Sequence, residues 1–133
     1  MSPELTVLAL AGLLQVAQFG LVSVSTNLEL GSKITLGPRD GGPLIDRLSQ
    51  RNARLARAMN NHFEALILLT LAVVVVTLGP GSTPFTATCA WLYLAARIAY
   101  VPAYWLGLAP WRSVIWAVGF GATVAMILSA LWH

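Results

Sequence analysis

Two sets of polar residues interrupt an otherwise apolar chain at helical spacing. Arg57, Asn61 and Glu64 fall at i, i+4 and i+7 and so share one helix face. Arg97, Tyr100 and Tyr104 fall at i, i+3 and i+7, a second single face. Arginine forks pair with carboxylates in bidentate fashion. A glutamate takes an ammonium group, and an asparagine both donates to and accepts from an amide. Tyrosine hydroxyls add donors for a carboxylate or a thiolate. Two such stripes on adjacent helices would line one cleft. Its inventory suits a small zwitterionic peptide with excess negative charge.

Arg112 and Ser113 extend the set at the start of a further helix. A helix N-terminus carries partial positive charge and free N–H groups. A thiol of pKa about 8.5 is mostly protonated at neutral pH. Lowering that by two units takes about 2.7 kcal/mol of preferential anion stabilisation. An arginine, a hydroxyl and a helix N-terminus in a dry site would supply it. Each residue also has a plainer reading. Glu64 and Arg97 alone would make a neutralising salt bridge between helices. The tyrosines and Arg112 would serve as interface anchors.

The elements that position these residues are membrane helices. The chain has 133 residues, 57% of them hydrophobic and 10% charged, against about 25% charged in an ordinary soluble domain. The fold class expected is all-α, an integral membrane four-helix bundle forming one domain over residues 1–133. The first helix is expected from about Glu4 to about Leu30, opened by Ser2-Pro3-Glu4. No basic region precedes it, so it reads as a retained span rather than a cleaved signal. A breaker-rich loop follows from Gly31 to about Leu44, with no packed element expected. The second helix is expected over about Ile45 to Leu78. Its wholly apolar part, from Ala65 on, is too short for a hydrocarbon core about 30 Å thick. The membrane stretch must therefore begin near Arg57, which takes Asn61 and Glu64 below the interface. The third helix is expected over about Pro84 to Leu106, with Arg97 inside it and a kink at Pro102. The fourth runs from Trp111 to about Trp132.

The net charge of +3 does not indicate nucleic acid, because the basic residues sit between hydrophobic helices. Of the eight basic residues, all but Arg97 lie in or beside the first and third loops. The positive-inside rule makes that face cytoplasmic and puts both termini outside. Trp105 and Trp111 would lie at the cytoplasmic interface and Trp132 at the other. The single cysteine, Cys89, excludes an internal disulfide, and His62 and His133 are too far apart for a zinc site. No metal is expected.

Arg57-Ala58-Met59-Asn60-Asn61-His62-Phe63-Glu64 resembles the helix 2 motif of the MAPEG family, the membrane-associated proteins in eicosanoid and glutathione metabolism. Ala96-Arg97-Ile98-Ala99-Tyr100, followed by Tyr104, is similar to the family's helix 3 motif. Leu108-Ala109-Pro110-Trp111-Arg112-Ser113 resembles the turn into helix 4 of the prostaglandin E synthase branch. The resemblance, to a bacterial-type member, covers nearly the whole chain. It implies a homotrimer in a bacterial inner membrane, with glutathione as co-substrate between subunits near the cytoplasmic face. It implies that Arg57, Asn61, Glu64, Arg97, Tyr100 and Tyr104 contact glutathione, and that Arg112, with Ser113, stabilises the thiolate. The partners implied are membrane lipids and a small hydrophobic electrophile or lipid.

Three positions depart from the family pattern. Asn60 stands where some catalytic members carry another arginine, and Met59 replaces a polar residue. Trp116 stands near a tyrosine of the prostaglandin synthase branch. The leukotriene C synthase branch places its catalytic arginine roughly at Gly107. Lys33 and Arg39 of the first loop receive no role. The first expectation is a glutathione transferase or peroxidase. The second is a non-catalytic glutathione- or lipid-binding scaffold of the same fold. A transporter is the weakest, since the outer half offers almost no polar path.

Overall fold

The computed structural model describes residues 1–38 and 40–132; Arg39 and His133 lie outside the described residues. Among the described residues, five α-helices and one 3-10 turn form in the order α1 (Pro3–Leu30), α2 (Ser32–Thr35), the turn Leu44–Arg47, α3 (Gln50–Leu78), α4 (Pro84–Trp105) and α5 (Trp111–Leu131). No strand occurs among the described residues.

Local chemistry sets each boundary. Ser2 caps α1 by accepting from the Leu5 N–H at 3.2 Å, and Pro3 occupies the first turn. The helix stops at Gly31, whose φ of 86° suits a residue without a Cβ. Thr83 and Thr86 form a reciprocal capping box that opens α4.

Two differences from the sequence reading lie in the first loop. Ser32–Thr35 makes one helical turn where no packed element was expected, stitched to α1 by Thr35 Oγ1 donating to Asn27 Oδ1 at 2.8 Å. The helix expected from Ile45 begins instead at Gln50. Leu48 and Ser49 are extended, and the Ser49 hydroxyl caps α3 by accepting from Asn52 N–H at 3.4 Å. The charged run from Asp46 to Arg47 belongs to the separate 3-10 turn.

Three helices, Pro3–Leu30, Gln50–Leu78 and Trp111–Leu131, are long and apolar enough to cross a membrane. The remaining long helix, α4, carries Arg97, Tyr93, Tyr100, Tyr104 and Pro102 within its 22 residues, and this polarity sets it apart from the other three. α4 packs most closely on α5, and α1 on α3, while α3 also meets α4 and α5. The shared core joins Val7 and Ala11 of α1, Leu69, Val73 and Val76 of α3, Ala90 and Tyr93 of α4, and Met126 of α5. Leu13, Val16 and Ile67 face outward, as expected of a surface solvated by lipid or another apolar partner.

Two carboxylates tie α1 to its neighbours. At one end Glu4 is fully buried, and its Oε1 accepts from Thr86 Oγ1 at 2.6 Å and Ser82 Oγ at 2.9 Å. At the other end Glu29 accepts from the Ser49 N–H and from Asn52 Nδ2. Thr86→Val removes a donor to a buried carboxylate while keeping shape. It should lower stability in detergent by about 1–3 kcal/mol, read as a fall in the thermal unfolding midpoint. An unchanged midpoint would show that Glu4 does not hold this end.

Candidate functional site

The site is built where α3, α4 and the start of α5 converge. Helical spacing brings Arg57, Asn61 and Glu64 to one face of α3, and Arg97, Tyr100 and Tyr104 to one face of α4. Arg97 is 2% exposed. Its Nη1 donates to Asn61 Oδ1 at 3.0 Å, and its guanidinium lies 4.3 Å from the Tyr100 ring centroid. The Arg97 Nε and Nη2 are buried and have no hydrogen-bond partner among the described residues.

A second group stands one turn further along α4. Arg57 Nε donates to Tyr104 Oη at 3.3 Å, and its guanidinium lies 5.9 Å from that ring. The Arg112 guanidinium lies 4.8 Å from the same ring. Tyr100 and Tyr104 meet edge to face at 5.5 Å. Three guanidiniums therefore surround two edge-to-face phenols, which accept cations through their ring faces. The result is a concentration of positive charge and N–H donors suited to an anion.

Glu64 is exposed and lines a cavity of about 220 Å³ together with Asn61, Arg97, Tyr93, Trp116 and Phe120. The simple salt bridge weighed from the sequence does not form: among the described residues no ion pair joins Glu64 to Arg97. The guanidinium reaches Asn61, one turn earlier on α3, and its plane is held by Tyr100. Glu64 is thus left facing the cavity. Ser113 is exposed, and its hydroxyl makes no hydrogen bond among the described residues. Its N–H donates to Pro110 O at 3.0 Å.

Sequence reasoning missed a buried polar layer behind the site. Gln15 Nε2 donates to Met59 O at 3.0 Å, which turns its Oε1 towards His62. His62 Nδ1 lies 2.7 Å from Gln15 Oε1 and 3.1 Å from Gln18 Nε2, and Gln18 Nε2 donates to Gln15 Oε1 at 3.2 Å. His62 Nε2 is buried and has no hydrogen-bond partner among the described residues. The ring stacks on Tyr93, with centroids 6.2 Å apart, and Tyr93 also lines the cavity. The signal was available: two glutamines at i, i+3 in an apolar span mark a polar face turned inward. Tyr93, Trp116, Phe120 and Thr123 of the cavity wall had no comparable polar spacing.

A family model described as MAPEG family matches residues 7–132. No curated protein matches the chain. The chain belongs to the MAPEG family.

The Arg97–Asn61 bond yields a direct expectation. Asn61→Ala strips the one hydrogen-bond acceptor that a buried guanidinium has among the described residues and should lower stability by about 1–3 kcal/mol. Tyr100→Phe keeps the ring beneath Arg97 and should change stability by less than about 0.5 kcal/mol. Thermal unfolding of the two variants in one detergent checks the contrast, and equal losses would refute it.

Proposed function

We propose that the Arg57–Asn61–Glu64–Arg97–Tyr100–Tyr104 cluster binds glutathione, and that the protein adds its sulfur to hydrophobic electrophiles arriving from the lipid. The observation that carries this reading is Arg97. A buried guanidinium with two nitrogens, Nε and Nη2, unpartnered among the described residues and beside a cavity is prepared for an anion such as a carboxylate. The MAPEG family includes glutathione transferases.

The residues divide the work by chemistry. The Arg97 fork and the Arg57 guanidinium hold carboxylate groups of the peptide. Glu64, unpaired and facing the cavity, takes its ammonium group. Tyr100 and Tyr104 keep the guanidinium planes in place and contribute hydroxyls. When bound, glutathione supplies the nucleophilic sulfur. Arg112, over Tyr104 and in the first turn of α5, holds negative charge at that sulfur. Ser113 beside it is the proposed hydroxyl donor.

The same proposal covers the membrane. α4, with 22 residues, rises about 33 Å and matches a core about 30 Å thick. It serves as the fourth span, shielded by its neighbours. The basic first and third loops then face the cytoplasm, with both termini outside. The protein assembles as a homotrimer, as the family resemblance implies.

A second reading, a non-catalytic lipid- or glutathione-binding scaffold, is favoured by one feature. The cavity wall near Arg112 ends in Trp116 stacked on Phe120, with centroids 5.0 Å apart and planes 10° apart. That wall offers apolar surface where a second hydroxyl would aid the sulfur.

Binding and turnover separate the readings. With a panel of electrophiles in detergent, Arg112→Ala should cut kcat by about 10²–10³-fold and leave the glutathione Kd nearly unchanged. Glu64→Ala should weaken Kd by about tenfold or more and spare kcat at saturation. The reverse pattern would refute these roles. Tight glutathione binding with no turnover on any electrophile would select the scaffold.

A further inference from the structure

We infer that the first turns of α3 and the α4–α5 turn form a binding site for the phosphate headgroup of an anionic phospholipid. The site rests on Arg51 and Arg54, which the glutathione reading does not use.

Helix N-termini are positive and favour acidic side chains. The first turn of α3 has no acidic residue. It carries Arg51 instead, with Arg54 three positions on and so on the same face. Two cations beside a positive helix end conflict electrostatically, and an anion resolves the conflict. Glu29 reaches the same helix end but pairs with neither arginine. Its carboxylate is engaged by the Ser49 N–H and Asn52 Nδ2. Among the described residues neither arginine forms an ion pair with Glu29, Asp46 or any other acid.

Both guanidiniums are seated rather than loose. Arg51 lies 5.2 Å from the Trp105 ring centroid. Arg54 rests on the backbone of Gly107, where an added Cβ would fall 2.6 Å from Nη1. Gly107 also has a φ of 69°, so glycine serves both the turn and the seat. The two forks thereby rest against the end of α4 and the turn after it, and guanidinium forks match a phosphodiester.

The surroundings select a lipid over a free anion. Leu106, Leu108 and Trp111 on the same turn are 47%, 46% and 64% exposed. A phosphate carried on acyl chains satisfies the arginines and covers these apolar side chains together. Basic clusters beside a membrane span attract anionic headgroups at about 1 kcal/mol per residue near the surface.

The test uses the full chain reconstituted in equal parts phosphatidylcholine and phosphatidylglycerol, with retained lipids counted by native mass spectrometry. The wild type should retain phosphatidylglycerol preferentially. The Arg51→Gln/Arg54→Gln double variant should lose that preference about tenfold or more. Arg51→Lys/Arg54→Lys, which keeps the charge and loses the forks, should fall between them. Arg47→Gln removes one charge from the neighbouring 3-10 turn and should leave the preference intact. An equal loss in Arg47→Gln would show a net-charge effect and overturn the site. Displacement of phosphatidylglycerol by millimolar inorganic phosphate would overturn the lipid assignment in favour of a free anion. Unchanged selectivity in a double variant that retains the wild-type helical spectrum would overturn the proposal outright.

Discussion

A guanidinium inside an apolar helix bundle must find its partners on other helices, because its own helix cannot supply them. Burying a charge in apolar surroundings is costly unless it is paired and hydrogen-bonded. Arg97 meets this demand with Asn61 of α3 and with Tyr100 one turn along α4. The requirement fixes the register of α3 against α4. It also draws in α5 at Gly119, where an added Cβ would sit in ordinary contact, 3.6 Å from Arg97 Cδ and 3.6 Å from Ala96 Cβ. Three helices are thus aligned by one side chain, and the cavity lies among them.

The polar layer behind the site follows the same logic with neutral groups. Gln15 and Gln18 of α1 and His62 of α3 bond one another rather than solvent. Their network joins α1 to α3, and His62 passes the contact to Tyr93 of α4 by stacking. The site is therefore bounded on its inner side by groups whose positions depend on three helices. A substitution in α1 would reach the cavity through His62 and Tyr93, without any α1 residue lining it.

The helices were legible because hydropathy and helical period carry their own information. The boundaries at Leu30, Leu78 and Trp105 follow glycines, prolines and turn residues visible in the chain. The start of α3 was misplaced because Ile45 to Arg47 has helix-forming side chains, whereas Ser49 supplies the cap only after an extended Leu48. The two polar faces could be read from spacing. Which partner Arg97 chose could not, since Asn61 and Glu64 lie one turn apart on the same face and only the packed depth of α4 decides between them. His62 was set aside as a metal ligand candidate, and its partners lie 44 and 47 positions away in α1, beyond any local pattern.

The two carboxylates of α1 have a consequence for how the molecule meets the bilayer. Glu4 is fastened near one rim to Ser82 and Thr86, and Glu29 near the other to Ser49 and Asn52. About 38 Å of helix rise lies between them. A free transmembrane helix adapts to bilayer thickness by tilting. A stave pinned at both rims does not. The inclination of α1 is set by the protein, so a thinner or thicker membrane must deform around it, and the strain falls on the lipid annulus rather than on the polar layer that α1 shares with α3.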